Sequence, residues 1–268
     1  MILNQKYTLS NGVEIPKLGL GTWKIDNDDV AQTVREAINA GYRHIDTAQA
    51  YENERGVGEG ILASSVKRDE LFITSKVAAE IKSYDEAVAS IDQSLERLGL
   101  EFIDLMLIHC PQPWNEFGSD NRYLEENRNV WRALEEAYEA GKVRAIGVSN
   151  FQQVDLENIL NECNVKPMAN QILANITHTP LDLIQYTQDQ GILVEAYSPL
   201  AHGDLLKNEE LEEIAEKYGV SVAQLSIRFD LQLGLLPLPK TVTPERMKTN
   251  TEVDFKISEE DMDYLKKV

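Results

Sequence analysis

Two rhythms alternate along the chain. Stretches such as "DVAQTVREAINAG", "SYDEAVASIDQSLERLGL" and "QVDLENILNEC" repeat apolar positions three and four residues apart, the spacing of an amphipathic helix. Between them stand short, almost unbroken apolar runs, among them "ELFITSKV", "FIDLMLIH", "VRAIGVS" and "ILVEAY". Strands buried on both faces read this way. Gly41 closes the first helical pattern as a C-terminal glycine, and Ser83 with Glu86 has the spacing of a capping box. "ERGVGEGILASS" predicts a helix weakened by its glycines. Ahead of these units, "KYTLSNGVEIPKLGLGTW" predicts a hairpin around Asn11-Gly12.

From "KLGLG" to "LLPLP" eight strands alternate with helices, and two helical stretches finish the chain. Alternating βα units imply a parallel sheet. Eight of them in roughly 250 residues predict an α/β fold of the closed (β/α)8 TIM-barrel type, residues 1–268 forming one barrel domain behind an N-terminal β-hairpin. The competitor is an open doubly wound sheet, which would be supported by Gly-x-Gly-x-x-Gly directly after a strand. The nearest match, "GVGEG", follows no strand directly.

A barrel of this kind carries its chemistry at the C-terminal ends of its strands. Asp46 ends "HID", Lys76 ends "LFITSK", His109 ends "FIDLMLIH", and Tyr51 lies in the loop after Asp46. Taken singly, a strand-end Asp or Lys is usually solvated, and a lone Tyr or His is usually structural. Three successive strands ending in complementary ionisable groups weaken that view. Asp46 would supply the counter-charge that a buried Lys76 needs. Lys76 would lower the pKa of a nearby Tyr51 phenol, and His109 would orient a carbonyl oxygen. Such a site donates a proton to a developing alkoxide and lacks the nucleophile–base pair of a hydrolase.

The formal net charge of −19 argues against nucleic acid and anionic membrane as partners. Two cysteines without paired spacing, Cys110 and Cys163, point away from a disulfide framework or structural zinc. Four histidines with no paired-ligand spacing predict no metal site and disfavour a metal-dependent barrel hydrolase. The amino terminus lacks a signal-peptide core and no segment has the apolar length of a membrane span, so a cytoplasmic protein is expected.

"GYRHIDTAQAYENERGVG", together with "ITSKV", "LIHCP" and "GVSNF", closely resembles the aldo-keto reductases, and the likeness runs from "GLGTW" to "TVTPERMKTN". The resemblance implies hydride transfer from a nicotinamide cofactor, usually NADPH (NADP+ when oxidised), to an aldehyde or ketone. Asp46, Tyr51, Lys76 and His109 would be the catalytic tetrad, with Tyr51 the acid. It further implies that Ser149, Asn150 and Gln171 hold the nicotinamide carboxamide and that Tyr197 stacks on its ring. Thr22, Ser198, Leu200 and Asp204 would complete the contacts around the cofactor, Asp204 closing over the pyrophosphate. Lys240, Thr241, Val242, Thr243, Arg246 and Asn250 would form the adenosine end, Lys240 and Arg246 on the 2′-phosphate. Thr249 stands where the family often has Glu.

Trp23, Tyr51, His109, Cys110 and Trp114 are the expected substrate contacts. Cys110 replaces a common Trp, and Ala78 and Ala79 replace a common aromatic. The pattern looks most like the short prokaryotic branch with 2,5-diketo-gluconate and glyoxal reductases. The expected partner is therefore a small, polar carbonyl substrate. A monomer is the family expectation. A cofactor-binding regulatory or structural subunit on the same barrel is the alternative.

Overall fold

The computed structural model describes residues 1–268 and realises both rhythms as separate layers. Strands β1 (Lys6–Thr8) and β2 (Glu14–Pro16) pair antiparallel, with Lys6 opposite Pro16. The repeat then runs β3 (Leu20–Gly21), α1 (Asn27–Asn39), β4 (His44–Asp46), α2 (Glu54–Leu62), β5 (Phe72–Val77), α3 (Tyr84–Leu98), β6 (Ile103–Ile108) and α4 (Leu124–Glu139). It continues through β7 (Val143–Ser149), α5 (Gln153–Leu160), β8 (Ala169–Leu173), α6 (Leu181–Asp189), β9 (Leu193–Tyr197), α7 (Glu209–Lys217), α8 (Val222–Gln232) and β10 (Leu236–Leu238). Helices α9 (Pro244–Thr249) and α10 (Glu259–Leu265) follow.

Strands β3 to β10 form one parallel sheet in sequence order. The Gly19 N–H donates to Pro237 O at 3.3 Å and the Gly21 N–H to Pro239 O at 3.1 Å, which joins the last strand to the first. The protein is thus an eight-stranded TIM barrel behind an N-terminal hairpin. Gly19 is required at the seam, because a Cβ there would lie 2.6 Å from the Leu238 side chain and 2.7 Å from the His44 ring. Every residue of β5 and β6 is buried, as their unbroken apolar runs foretell.

Helix α3 begins at the expected cap, where Ser83 Oγ accepts from the Glu86 N–H. The glycines of α2 have a packing role. A Cβ on Gly56 would lie 2.2 Å from Asn27 O, and one on Gly58 would lie 2.0 Å from Leu98 O. They let α2 lie against α1 and the end of α3, so "GVGEG" belongs to a helix interface.

The hairpin is tied across the N-terminal strand ends. Tyr7 Oη donates to Leu235 O at 3.1 Å and Asn11 Nδ2 to Arg144 O at 3.0 Å. A hollow of about 200 Å3 remains at this end, and the Tyr7 phenol is its only ionisable lining group. Nothing there can do acid–base work near neutral pH, which directs attention to the opposite mouth. No helix is long and apolar enough to cross a membrane.

Candidate active site

Asp46 is the last residue of β4, and β4 pairs with β5, so Lys76 projects beside it. Lys76 has no exposure to solvent, yet all three ammonium hydrogens find acceptors. These are Asp46 Oδ1 at 2.6 Å, Thr47 O at 2.9 Å and the Tyr51 oxygen at 3.3 Å. Tyr51 reaches this position on a single helical turn, Gln49–Tyr51, that ends at Glu52 in the left-handed region. The Gln49 side chain clamps the turn. It accepts from the Ala78 N–H and donates to Ser90 O and Ser94 Oγ.

Two electrostatic consequences follow. Burial works against the Lys76 charge, but Asp46 and Tyr51 outweigh it and hold the ammonium above its usual range. Burial also pushes the Tyr51 phenol up, and the Lys76 charge only partly offsets this. The expected lowering of the Tyr51 pKa is therefore reversed here, because removing a phenolate from water costs more than one cation returns. Tyr51 accepts from Lys76 and stays protonated, with its own hydrogen uncommitted.

His109 follows β6, and its ring stands edge-on to Tyr51 at 5.6 Å and to Trp114 at 5.1 Å between centroids. Asn150 Nδ2 donates to its backbone carbonyl at 2.9 Å. Burial and the nearby Lys76 hold the imidazole well below its usual pKa, so it is neutral. Nδ1 has no partner. A neutral ring carries one N–H, which can donate to a carbonyl oxygen.

Below this group lies Glu195, which sequence reasoning did not single out. Gln171 Nε2 donates to Asp46 Oδ2 and to Glu195 Oε2, both at 2.8 Å. Glu195 is wholly buried and its other oxygen has no partner. An acid inside the apolar run "ILVEAY" was the available signal.

Most of the residues expected around the cofactor fall into two sets. Thr22, Ser149, Asn150, Gln171 and Tyr197 form one connected network. Thr22 Oγ1 donates to Asp46 O, Ser149 Oγ to Gln171 O, and Asn150 Nδ2 to Ser149 Oγ. Tyr197 Oη donates to Asn150 Oδ1 at 2.7 Å, so both ends of the Asn150 amide are engaged within the protein. Ser198, at positive φ, and Leu200 lead into a segment (Ala201–Lys207) in which Asp204 is exposed. The second set surrounds α9. Thr241 Oγ1 accepts from the Thr243 N–H, Asn250 is buried, and Val242 is exposed. Lys240 and Arg246 are exposed and neither pairs with a carboxylate.

At the mouth, Trp114 lies against His109, and Trp23 packs on His202 at 5.3 Å. Both indoles are about two-fifths exposed, which leaves their faces open to a ligand. Cys110 must be corrected as a substrate contact. Side chains alternate along an extended chain, so the residue after His109 turns the other way. Cys110 has no exposed surface and burial pushes its thiol up to about 11.

Residues 17–268 match the family model described as "Aldo/keto reductase family". A glyoxal reductase of Bacillus subtilis (strain 168) is 47% identical over 265 residues, 98% of this chain and 92% of that one. The 2,5-diketo-D-gluconic acid reductase B of Corynebacterium sp. is 40% identical over 260 residues, 96% and 91% of the two chains. A crystal structure of an aldo/keto reductase from Brucella melitensis superposes with TM-score 0.91 at 39% identity, covering 98% of each chain. A Bombyx mori aldo-keto reductase in complex with NADP superposes with TM-score 0.88 at 34% identity, covering 98% of this chain and 92% of that chain.

Proposed function

Because the chain belongs to the aldo/keto reductase family and is an oxidoreductase of that kind, we propose that it reduces small aldehydes, ketones and α-dicarbonyls to alcohols with NADPH. The observation that carries this is the Tyr51 phenol oxygen, held at 3.3 Å by a Lys76 that is itself paired with Asp46. The names of the two bacterial relatives support glyoxal-like and diketo substrates.

The residues present suit the cofactor. In a chain of net charge −19, Lys240 and Arg246, exposed and unpaired around α9, match a phosphate monoester in charge, and Arg adds a fork of donors. Lys240 and Arg246 would hold the adenosine 2′-phosphate, giving NADPH preference over NADH. Gln171, with both amide hydrogens committed to carboxyl groups, presents its oxygen as an acceptor for the nicotinamide carboxamide. The half-buried Tyr197 ring is the stacking surface. Bound NADPH supplies the hydride to the carbonyl carbon.

The chain's own residues manage the oxygen. His109 donates its single N–H to the carbonyl oxygen and orients it. Tyr51 gives up its proton to that oxygen as negative charge develops, and Lys76 faces the resulting phenolate. Asp46 keeps Lys76 in place and charged. Trp23 and Trp114 wall the mouth with apolar faces. The test is NADPH oxidation with methylglyoxal in the presence of EDTA. EDTA-insensitive consumption is expected, and no consumption across a broad aldehyde panel would remove the proposal.

A further inference from the structure

Glu195 has no part in the reaction just described, yet it is joined to the site by two hydrogen bonds. We propose that Glu195 is a positioning residue: through the Gln171 amide it fixes the second oxygen of Asp46 and sets the net charge felt by Lys76 and Tyr51. The inference rests on the reductase function proposed above and adds a residue to it.

The geometry is specific. Asp46 Oδ1 receives Lys76, and Asp46 Oδ2 receives Gln171 Nε2. The second hydrogen of that same nitrogen goes to Glu195 Oε2 at 2.8 Å. Four strands, β9, β8, β4 and β5, thus contribute one residue each to a chain of contacts that ends at the Tyr51 oxygen. With its nitrogen between two carboxyl groups, the Gln171 amide cannot be turned round without setting its oxygen against them. Glu195 and Asp46 together therefore fix which end of Gln171 faces the mouth.

The charge balance is equally constrained. Glu195 is wholly buried, makes no ion pair, and leaves Oε1 without a partner. Beside it, β10 contributes Leu236 and β8 contributes Gln171, neither ionisable. The charged groups that act on it are Asp46 and Lys76. One ammonium therefore serves two carboxyl groups. Burial, then repulsion by Asp46, pushes the Glu195 carboxyl up to about 7. Protonated, it leaves Lys76 free to balance Asp46 and the phenolate that Tyr51 becomes. Ionised, it adds a second buried negative charge that opposes proton loss from Tyr51. Carbonyl reduction is faster in the protonated form.

Glu195→Gln keeps an acceptor oxygen for Gln171 and cannot ionise. With saturating NADPH and methylglyoxal, wild-type kcat should fall about tenfold to a lower plateau as pH rises through the Glu195 pKa, the effect of one unit of like-charge repulsion on Tyr51. E195Q should stay on the upper plateau over the same range. A merely structural role would lower kcat at all pH values and leave the step in place. A second measurement needs neither turnover nor cofactor. Infrared difference spectra of the cofactor-free wild-type protein should show a protonated-carboxyl band that titrates near neutral pH, and E195Q should lack it. Persistence of the kcat step in E195Q, or no carboxyl band titrating near neutral pH, would overturn the inference. Failure of the wild-type protein to reduce any carbonyl would instead remove the reductase function, and the infrared titration would then decide the Glu195 contact alone.

Discussion

The Tyr51 oxygen lies 3.3 Å from Lys76 Nζ and accepts from it, so the phenol keeps its own hydrogen for a ligand. Tyr51→Phe removes that hydrogen together with the oxygen that accepts from Lys76, and leaves the ring in place. Turnover should drop by about 10²–10⁴-fold, the usual size of a lost general acid. NADPH affinity, followed by fluorescence titration, should stay close to wild type. Wild-type turnover in this variant would take the acid role away from Tyr51.

Asp46 and Lys76 form an ion pair at 2.6 Å with almost no access to water. Asp46→Asn leaves the ammonium buried without its counter-charge. Breaking such a pair from one side costs about 3–5 kcal/mol. Urea unfolding should show a loss of that order, with a fall in turnover. Unchanged stability would mean that Lys76 carries no charge in the folded protein.

Arg246 and Lys240 should discriminate between cofactors. A charge-assisted hydrogen bond contributes about 1.5–3 kcal/mol. Arg246→Ala should therefore weaken NADPH by roughly 10–100-fold and NADH far less. Equal weakening of both, measured by equilibrium titration, would move the 2′-phosphate elsewhere.

His44 makes stability depend on pH. Its Nε2 meets Thr74 Oγ1 at 2.9 Å, Nδ1 has no partner, and burial with the Lys76 charge pulls its pKa down to about 3. In the unfolded chain it titrates near 6.5. Between these values the unfolded state binds a proton that the folded state refuses. The contribution is thus complete above about pH 6.5 and is lost as pH falls toward 3, at about 1.4 kcal/mol per pH unit. His44→Gln should reduce the slope of unfolding free energy against pH by that amount between pH 4 and 6. An unchanged slope would mean that the folded protein protonates His44.

The strand order and the gathering of Asp46, Tyr51, Lys76 and His109 at one mouth were legible because a barrel buries both faces of its strands. Its apolar runs stand out, and an acid or lysine at the end of one marks the mouth. Other features were hidden for physical reasons. Glu195 is a single acid in an otherwise apolar run, and its spacing does not show that its side chain meets Gln171 in the barrel interior. Cys110 follows a mouth residue in sequence but not in space. The direction of the Tyr51 shift depends on the balance of burial against one cation, which no spacing encodes.

The glycines of α2 are the sharpest case, since propensity counts them as a cost and packing requires them. Gly58→Ala would set a Cβ 2.0 Å from the Leu98 carbonyl, which is backbone and cannot turn aside. It should lower stability by about 1–3 kcal/mol in chemical denaturation, although alanine is the better helix former. A stabilised variant would show that α2 can move away from α3.

The seam between β3 and β10 bears on how the chain acquires its shape. Strand β3 has two residues, and the bonds of Gly19 and Gly21 reach to Pro237 and Pro239. The hairpin makes a similar reach, since the Tyr7–Leu235 bond spans 228 residues of sequence. Local βα pairs can form early, but these contacts lie at the costly end of loop closure and must come late. During synthesis the first strands leave the ribosome without the partner that completes them. Until β10 emerges, β3 and β9 are open edges, and it is then, rather than in the finished barrel, that the chain is most exposed to pairing with a neighbour.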